Sequence, residues 1–464
     1  MEQYDAIVVG GGPGGSSAAH FLAKSGAKVV LIDKKEFPRA KVCGDGLTPR
    51  SVKVLSELGL DDDMNSYQKV RGLRIIGAGR SLEVDFPRMS RFPQIGAVRP
   101  RKDLDAAVMQ KAREAGAEIR TGVEATEPIL NNGTLTGIKW VRKAKAEGGG
   151  VVKAEEGTLS APFTVIADGA SSSFGRKLGI RKDAEYPLGL AIRTYYESNR
   201  ADDDFFESWL ELRNGNDLLP GYGWLFPVGD GTVNIGVGLL STYGGWRGIN
   251  LNHLQRGFID ILTKTYGITH EAQTEPYKSG RLPMGGSVHK PYGSGYLLIG
   301  DSAGIVNPFT GEGIAYALET GKLGASLVSD ALKNGKSSDL AVYREALHDI
   351  YAAYYRIGRL FVKLISQPAL FKAMCQIGLR SHTVMSFVFQ IMGNLVEESG
   401  GTMADRAFRR ALKWAEYELP ELSEPDIPAP TPVAVRSNGA SPNGSGPQAP
   451  GATPVTTGEG AGPV

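Results

Sequence analysis

The chain has 464 residues, 52 of them Lys or Arg and 50 Asp or Glu, for a formal net charge of +2. That length holds two domains or one large domain with an insertion, and the balanced charge gives no basis for a nucleic-acid partner. Its two cysteines, Cys43 and Cys375, and six scattered histidines exclude a disulfide scaffold and give no metal-ligand spacing, so no metal is expected.

The opening MEQYDAIVVGG carries no basic n-region, so no secretory signal is expected and a reducing, cytoplasmic setting is the default. No window of about 18 apolar residues without charge is present, so no membrane span is expected, while attachment to a bilayer surface stays open.

Residues 4–9 (YDAIVV) read as a strand, the glycines at 10, 11, 12, 14 and 15 as a turn, 16–25 as a helix and 27–32 as a second strand ended by Asp33. Strand, Gly-rich turn, helix and strand open a doubly wound α/β sheet, a Rossmann-like domain. In Gly10-x-Gly12-x-x-Gly15 the first glycine makes the tight turn, the second admits a pyrophosphate and the third packs helix on strand. Gly14 belongs to the same turn. Asp33, 18 residues after Gly15, stands where an acid binds a ribose hydroxyl. This fingerprint alone does not separate FAD from NAD.

Further along, 101–115 reads as a helix, 117–120 as a strand, and 135–141 with 151–159 as a hairpin around KAEGGG. Residues 163–167 form a strand into Asp168-Gly169. From 186 to 280 alternating aromatic-rich strands predict a second, antiparallel sheet. The strand 295–299 then leads into Gly300-Asp301-Ser302-Ala303-Gly304, and a helix over about 311–333 has small residues where a cofactor or strand would press close. A discontinuous nucleotide-binding domain (1–185 and 281–335) is therefore expected, interrupted by a substrate sheet domain (186–280). A helical region (336–423) and a disordered Pro/Gly/Ser-rich tail (424–464) follow.

Asp168-Gly169 and this later Gly-Asp segment, in order after the fingerprint, separate FAD from NAD. An Asp at that strand end can bind a ribityl hydroxyl, and a helix beginning near Gly311, with Gly313 close by, can aim amides at the flavin N1–C2=O edge. One FAD is the cofactor expected.

Three features carry two readings each. Tyr222, Trp224 and Phe226 alternate, so they share one face of a strand, either domain core or the wall of an apolar cavity. Cys43 is either a small buried hydrophobe or part of a polar loop at the cofactor. Residues 355–395 mix bulky apolar side chains with Arg and Lys, fitting either a packed subdomain or an amphipathic basic surface on lipid.

On these residues the chain resembles the geranylgeranyl reductase family, within the larger group of flavoproteins shaped like para-hydroxybenzoate hydroxylase, over roughly residues 4–400. The resemblance implies Arg101 near the FAD phosphates, Asp168 and Gly169 at the cofactor cleft, and Gly300-Asp301 on the ribityl chain. Tyr222-x-Trp224-x-Phe226-Pro227, followed after eight residues by Gly236-x-Gly238, resembles the family's substrate-domain signature, whose aromatics line a cavity for an isoprenoid chain. Lys41-Val42-Cys43-Gly44-Asp45-Gly46-Leu47 is similar to its Cys-Gly segment near the isoalloxazine, with Asp45 and Ser302 as variations within the motifs. The segment GDSAGIVNPFTGEGIAYALETG and the tail most resemble actinobacterial members. The resemblance thus implies an FAD-dependent reductase that saturates C=C bonds of a polyprenyl chain, the side chain of menaquinone before another prenyl lipid. Its expected partners are a prenyl lipid or lipoquinone, an electron donor (NAD(P)H or a protein), and peripheral contact with the inner face of the cell membrane. The alternatives are an FAD-dependent aromatic monooxygenase or halogenase and a non-enzymatic redox sensor or lipid-binding scaffold.

Overall fold

Ala6–Val9 is buried at all four residues and pairs in parallel with Phe163–Ile166 on one side and Val29–Asp33 on the other. Apolar on both faces, it needs cover above and below. A computed structural model describes residues 2–145, 151–335, 340–397 and 401–418. The expected tail at 424–464 and the centre of the KAEGGG loop lie outside these residues.

The parallel sheet runs Glu118–Thr121, Val29–Asp33, Ala6–Val9, Phe163–Ile166 and Tyr296–Leu298, with Tyr292–Gly293 antiparallel at the edge. Because Phe163–Ile166 neighbours both Ala6–Val9 and Tyr296–Leu298, Asp168-Gly169 and Gly300-Asp301 follow strands beside the Gly10 turn. The carboxyl ends of such strands are where doubly wound sheets bind ligands. The helices Pro13–Lys24 and Ile314–Asn334 pack together. Among the small residues of the second helix, Gly324 meets the strand residue Leu297, as expected, whereas a Cβ on Gly321 would lie 2.4 Å from the Gly14 carbonyl oxygen of the other helix. The hairpin Thr134–Lys145 with Val151–Ser160 forms as expected, within a four-stranded sheet.

The second sheet has seven strands: Lys278–Pro283, Leu188–Glu197, Thr232–Leu240, Gly221–Pro227, Phe205–Trp209, Gly72–Gly77 and Arg80–Asp85. All neighbours are antiparallel except Phe205–Trp209 with Gly72–Gly77. The last two strands come from far upstream of residue 186. One face buries Ile192, Leu225, Ile235 and Val237 against Phe258, Ile259 and Leu262 of the helix Leu251–Tyr266. That helix falls inside the stretch read as strands. Asn250 caps its start by accepting from the amides of Asn252 and His253, and Gly267 ends it at φ +72°.

The C-terminal region is helical: Val342–Leu347, Ala353–Ile365, Pro368–Gly378, His382–Met392 and Met403–Glu418. It anchors to the core through Tyr343, which donates to the Leu298 carbonyl, and through Tyr351 and Tyr355 stacked beside Tyr316. Among the described residues no helix is long and apolar enough to cross a membrane.

Candidate active site

A cavity of about 950 Å³ opens between the carboxyl ends of the parallel sheet and the uncovered face of the seven-stranded sheet. Gly10, Gly12, Asp33, Cys43, Gly44, Arg101, Asp168, Gly169, Tyr222, Trp224, Phe226, Asp301, Gly311 and Gly313 all line it. Gly14, Gly15 and Gly300 stand behind the wall, in the packing of the turn and helices.

At the nucleotide end, Gly10 has φ +106° and a Cβ there would lie 2.4 Å from the Ala167 carbonyl oxygen. A Cβ on Gly15 would lie 1.8 Å from the Gly10 carbonyl oxygen. Side chains are excluded at both, so the turn stays tight and its backbone open to a ligand. Asp33 accepts from the amides of Gly11 (2.7 Å) and Lys35 (2.8 Å), which fixes it at the strand end. Asp168 accepts from the Phe174 amide through Oδ2 (2.8 Å), while its buried Oδ1 has no partner in the protein. Burial pushes the Asp168 carboxyl above its usual range. Burial also acts against Asp301, but Lys41, 3.1 Å away, with Arg101 and Lys182, holds that carboxyl below its usual range. Arg101 is buried, and its fork grips Asp105 at 2.6 and 2.7 Å. Arg39 lies 3.3 Å from the same Asp105 and 3.7 Å from Asp33. Bare amides, an unpartnered Asp oxygen and two guanidinium groups fit a dinucleotide with a pyrophosphate at its centre.

At the other end stands an aromatic wall. The register places Tyr222 opposite Gly238, Trp224 opposite Gly236 and Phe226 opposite Asn234. Opposed residues share a face, so the two glycines of Gly236-x-Gly238 leave bare backbone beside the rings. A Cβ on Gly236 would fall 2.2 Å from Trp224 Cζ2. The indole lies across that gap, and its Nε1 donates to Asn234 Oδ1 at 3.0 Å. Trp224 is 6% exposed yet lines the cavity. Tyr222 donates to the Thr310 carbonyl at 2.6 Å, tying the wall to the loop before Gly311.

The Cys43 loop is clamped to this wall. A Cβ on Gly44 would meet Phe226 at 3.0 Å and Trp224 Nε1 at 3.2 Å. Asn234 Nδ2 donates to the Cys43 carbonyl (2.9 Å) and to Asp45 Oδ2 (2.7 Å); Arg193 donates to the Lys41 carbonyl (3.0 Å). Asp45, fully buried at φ +64°, also accepts from Tyr195 OH at 2.5 Å and from the Arg101 amide at 3.1 Å. Both its oxygens are occupied, so Asp45 is an anchor for the loop. Burial pushes the half-buried Cys43 thiol up, and Arg101 opposes this without reversing it. A thiol raised in this way stays protonated near neutrality, and Cys43 lines the cavity.

Sequence reasoning missed Asn234, Arg193 and Tyr195, which reach the loop from neighbouring strands. It also missed Thr48 and Glu312, which meet across the cavity edge at 2.5 Å. The polar residues interrupting apolar strand positions were the available signal.

Residues 3–357 match the FAD binding domain family. The chain belongs to that family. This flavoprotein is 38% identical over 407 residues to the menaquinone reductase of Mycobacterium tuberculosis, covering 87% of this chain and 94% of that one. It is 29% identical over 356 residues to the digeranylgeranylglycerophospholipid reductase of Methanosarcina acetivorans, covering 76% and 80%. A crystal structure of a geranylgeranyl bacteriochlorophyll reductase-like protein from Thermoplasma acidophilum superposes with a TM-score of 0.70 at 23% identity, covering 89% of this chain and all of that one. The protein is an FAD-dependent oxidoreductase.

Proposed function

We propose that the enzyme saturates C=C bonds in a polyprenyl chain, the isoprenoid side chain of menaquinone, and the aromatic wall over Gly236 carries this reading. A prenyl chain offers apolar area and few polar handles, so it needs a broad hydrophobic surface beside the cofactor. Trp224 and Phe226 supply that surface directly against the Cys43–Gly44 loop. Close relatives named for menaquinone and prenyl-lipid reduction support the same reading.

In this reading the turn Gly10–Gly15, Asp33, Arg101, Asp168 and Asp301 hold the dinucleotide, with Gly311 and Gly313 beside the flavin ring. The 186–280 segment and the strands at 72–85 form the substrate domain. FAD, when bound, supplies the hydride. The protein positions the alkene against it and excludes water, which an unactivated double bond requires for alignment.

The C-terminal helices support membrane contact. Their inner residues Phe361, Phe371, Met385 and Phe389 line the cavity. Their outer residues Leu360, Leu364, Leu370, Met374, Ile377 and Val384 are exposed. No acidic residue occurs between Asp349 and Glu397, whereas Lys363, Lys372 and Arg380 are exposed there. An apolar face with cations and no acids fits an anionic bilayer. A lipid substrate would then reach the cavity past these helices.

The test is anaerobic single turnover of reduced enzyme with menaquinone, read by the product's mass. Rapid reaction of the reduced enzyme with oxygen to a hydroxylating species, without hydrogenation of any prenyl lipid, would establish the monooxygenase alternative instead.

A further inference from the structure

We propose that Glu312 and Thr48 form the proton relay for alkene reduction, an assignment that rests on the cavity being a prenyl-reduction site. Hydrogenation of an isolated C=C bond needs a hydride at one carbon and a proton at the other. The relay fills the second need with residues at the aromatic end of the cavity.

Thr48 occupies the N-cap of the helix Pro49–Glu57, where a Thr hydroxyl ordinarily accepts from an amide of the first turn. It makes no such bond. Its Oγ1 donates instead to Glu312 Oε1 at 2.5 Å, with Ser51 Oγ farther off at 3.4 Å. Thr48 and Glu312 both line the cavity, as do Gly44 and Gly46 on the same loop. The bond therefore joins the Cys43 loop to the Gly311–Gly313 loop, which Tyr222 holds from its other side through Thr310.

The second carboxyl oxygen of Glu312, Oε2, is buried and has no partner. A carboxylate left in that condition is costly, and a carboxylic acid is much less so. The neighbouring cation offsets this only in part, because Arg50 lies 2.7 Å from Glu319. Burial raises the Glu312 carboxyl to about 7; Thr48, Arg50 and Ser51 act against the rise and Glu319 adds to it. Tyr316 and Tyr222 also face the group, and both phenols are pushed up and stay protonated. Glu312 is thus poised near neutrality, where general acids work best.

The other acids of the cavity have different tasks. Asp33, Asp168 and Asp301 stand at the nucleotide end and Glu124 pairs with Lys143 at 2.6 Å, while Asp45, behind the lining, is saturated by its own hydrogen bonds.

In the step, Glu312 is protonated on Oε1 and donates to Thr48 across the same 2.5 Å contact, so the Thr48 hydrogen turns to the alkene and its O–H bond breaks as a C–H bond forms at the alkene carbon. The Glu312 O–H bond breaks in turn to refill the Thr48 oxygen, leaving a carboxylate that water reprotonates. The alkene gains two electrons with the hydride, which the reduced cofactor loses.

The experiment compares FAD-loaded wild type, Glu312→Gln, Thr48→Val and Thr48→Ser, reduced chemically and mixed with menaquinone. Glu312→Gln and Thr48→Val should keep FAD and slow the hydrogenation step by about 100-fold or more, within the usual range for a lost general acid. Thr48→Ser should restore most of the rate. The wild-type rate should fall as pH rises through about 7, and the Glu312→Gln rate should show no such limb. Infrared difference spectra of wild type against Glu312→Gln, recorded without substrate, should show a protonated-carboxyl C=O stretch below that pH and not above it. Hydrogenation by Glu312→Gln at the wild-type rate overturns the relay, as does absence of the infrared band. Failure of wild type to reduce any prenyl lipid overturns the substrate reading instead. In that case the infrared band alone decides whether Glu312 is the cavity's stored proton.

Discussion

Replacing Trp224 with Ala removes the centre of the proposed substrate wall, and the structure sets the size of the effect. The indole lies over Gly236, which has no side chain of its own to fill the space the indole would leave. One isoprene unit laid across the ring loses contact equivalent to three or four methylenes, about 3 kcal/mol at about 0.8 kcal/mol each. In transition-state terms that is about a 100-fold fall in kcat/KM. FAD content should hold, because Trp224 touches none of the fingerprint residues. Stability will also fall, by about 3–5 kcal/mol for a buried Trp, and Asn234 Oδ1 loses its donor. Trp224→Phe separates the effects: it keeps an apolar ring but still removes the Nε1 bond, costing about 1–3 kcal/mol of stability with a smaller loss of kcat/KM. The assay is menaquinone reduction by chromatography, with flavin absorbance and denaturant titration on the same samples. Unchanged kcat/KM in Trp224→Ala would refute the wall, and loss of flavin in step with activity would make the aromatic face ordinary core.

Gly236→Ala sets a Cβ 2.2 Å from Trp224 Cζ2 and 2.5 Å from the Ile192 carbonyl oxygen; denaturant titration should show a loss of at least about 1–3 kcal/mol, and wild-type stability would contradict the packing. Lys41→Met removes the cation that most lowers the Asp301 carboxyl. A depressed carboxyl contributes stability that is present above its unfolded pKa and lost as pH falls through its folded pKa, so the variant's acid-unfolding midpoint should move to higher pH; an unmoved midpoint would show that the ion pair contributes nothing. Reversing Lys363, Lys372 and Arg380 to Glu should abolish flotation with anionic liposomes, at about 1 kcal/mol for each cation removed. Equal flotation of variant and wild type, or none by wild type, would remove the charged face from the account.

The parallel sheet was legible because its inner strands are short apolar runs bounded by glycines, a local pattern that survives without knowledge of neighbours. Tyr222, Trp224 and Phe226 were legible as one face for the same reason. What that face meets was not legible, since the partners of Trp224 are Gly236 and Asn234 on the next strand and Gly44 on a loop far upstream. The helix Leu251–Tyr266 was missed although Asn250 and Gly267 mark its ends; the aromatic-rich strands around it drew the whole stretch into a single sheet. The strands at 72–85 were missed as members of the second sheet because pairing between distant segments leaves no local trace. Thr48 and Glu312 illustrate the same limit: each sits in a glycine-rich loop, and only the fold brings them to 2.5 Å.

The most direct test is mass spectrometry of menaquinone after one anaerobic turnover with the chemically reduced, FAD-loaded enzyme. The product should be heavier by one molecule of hydrogen, with the added atoms on the isoprenoid side chain and the quinone ring unchanged after reoxidation. An unaltered side chain, or a product heavier by one oxygen atom once air is admitted, would contradict prenyl-chain reduction.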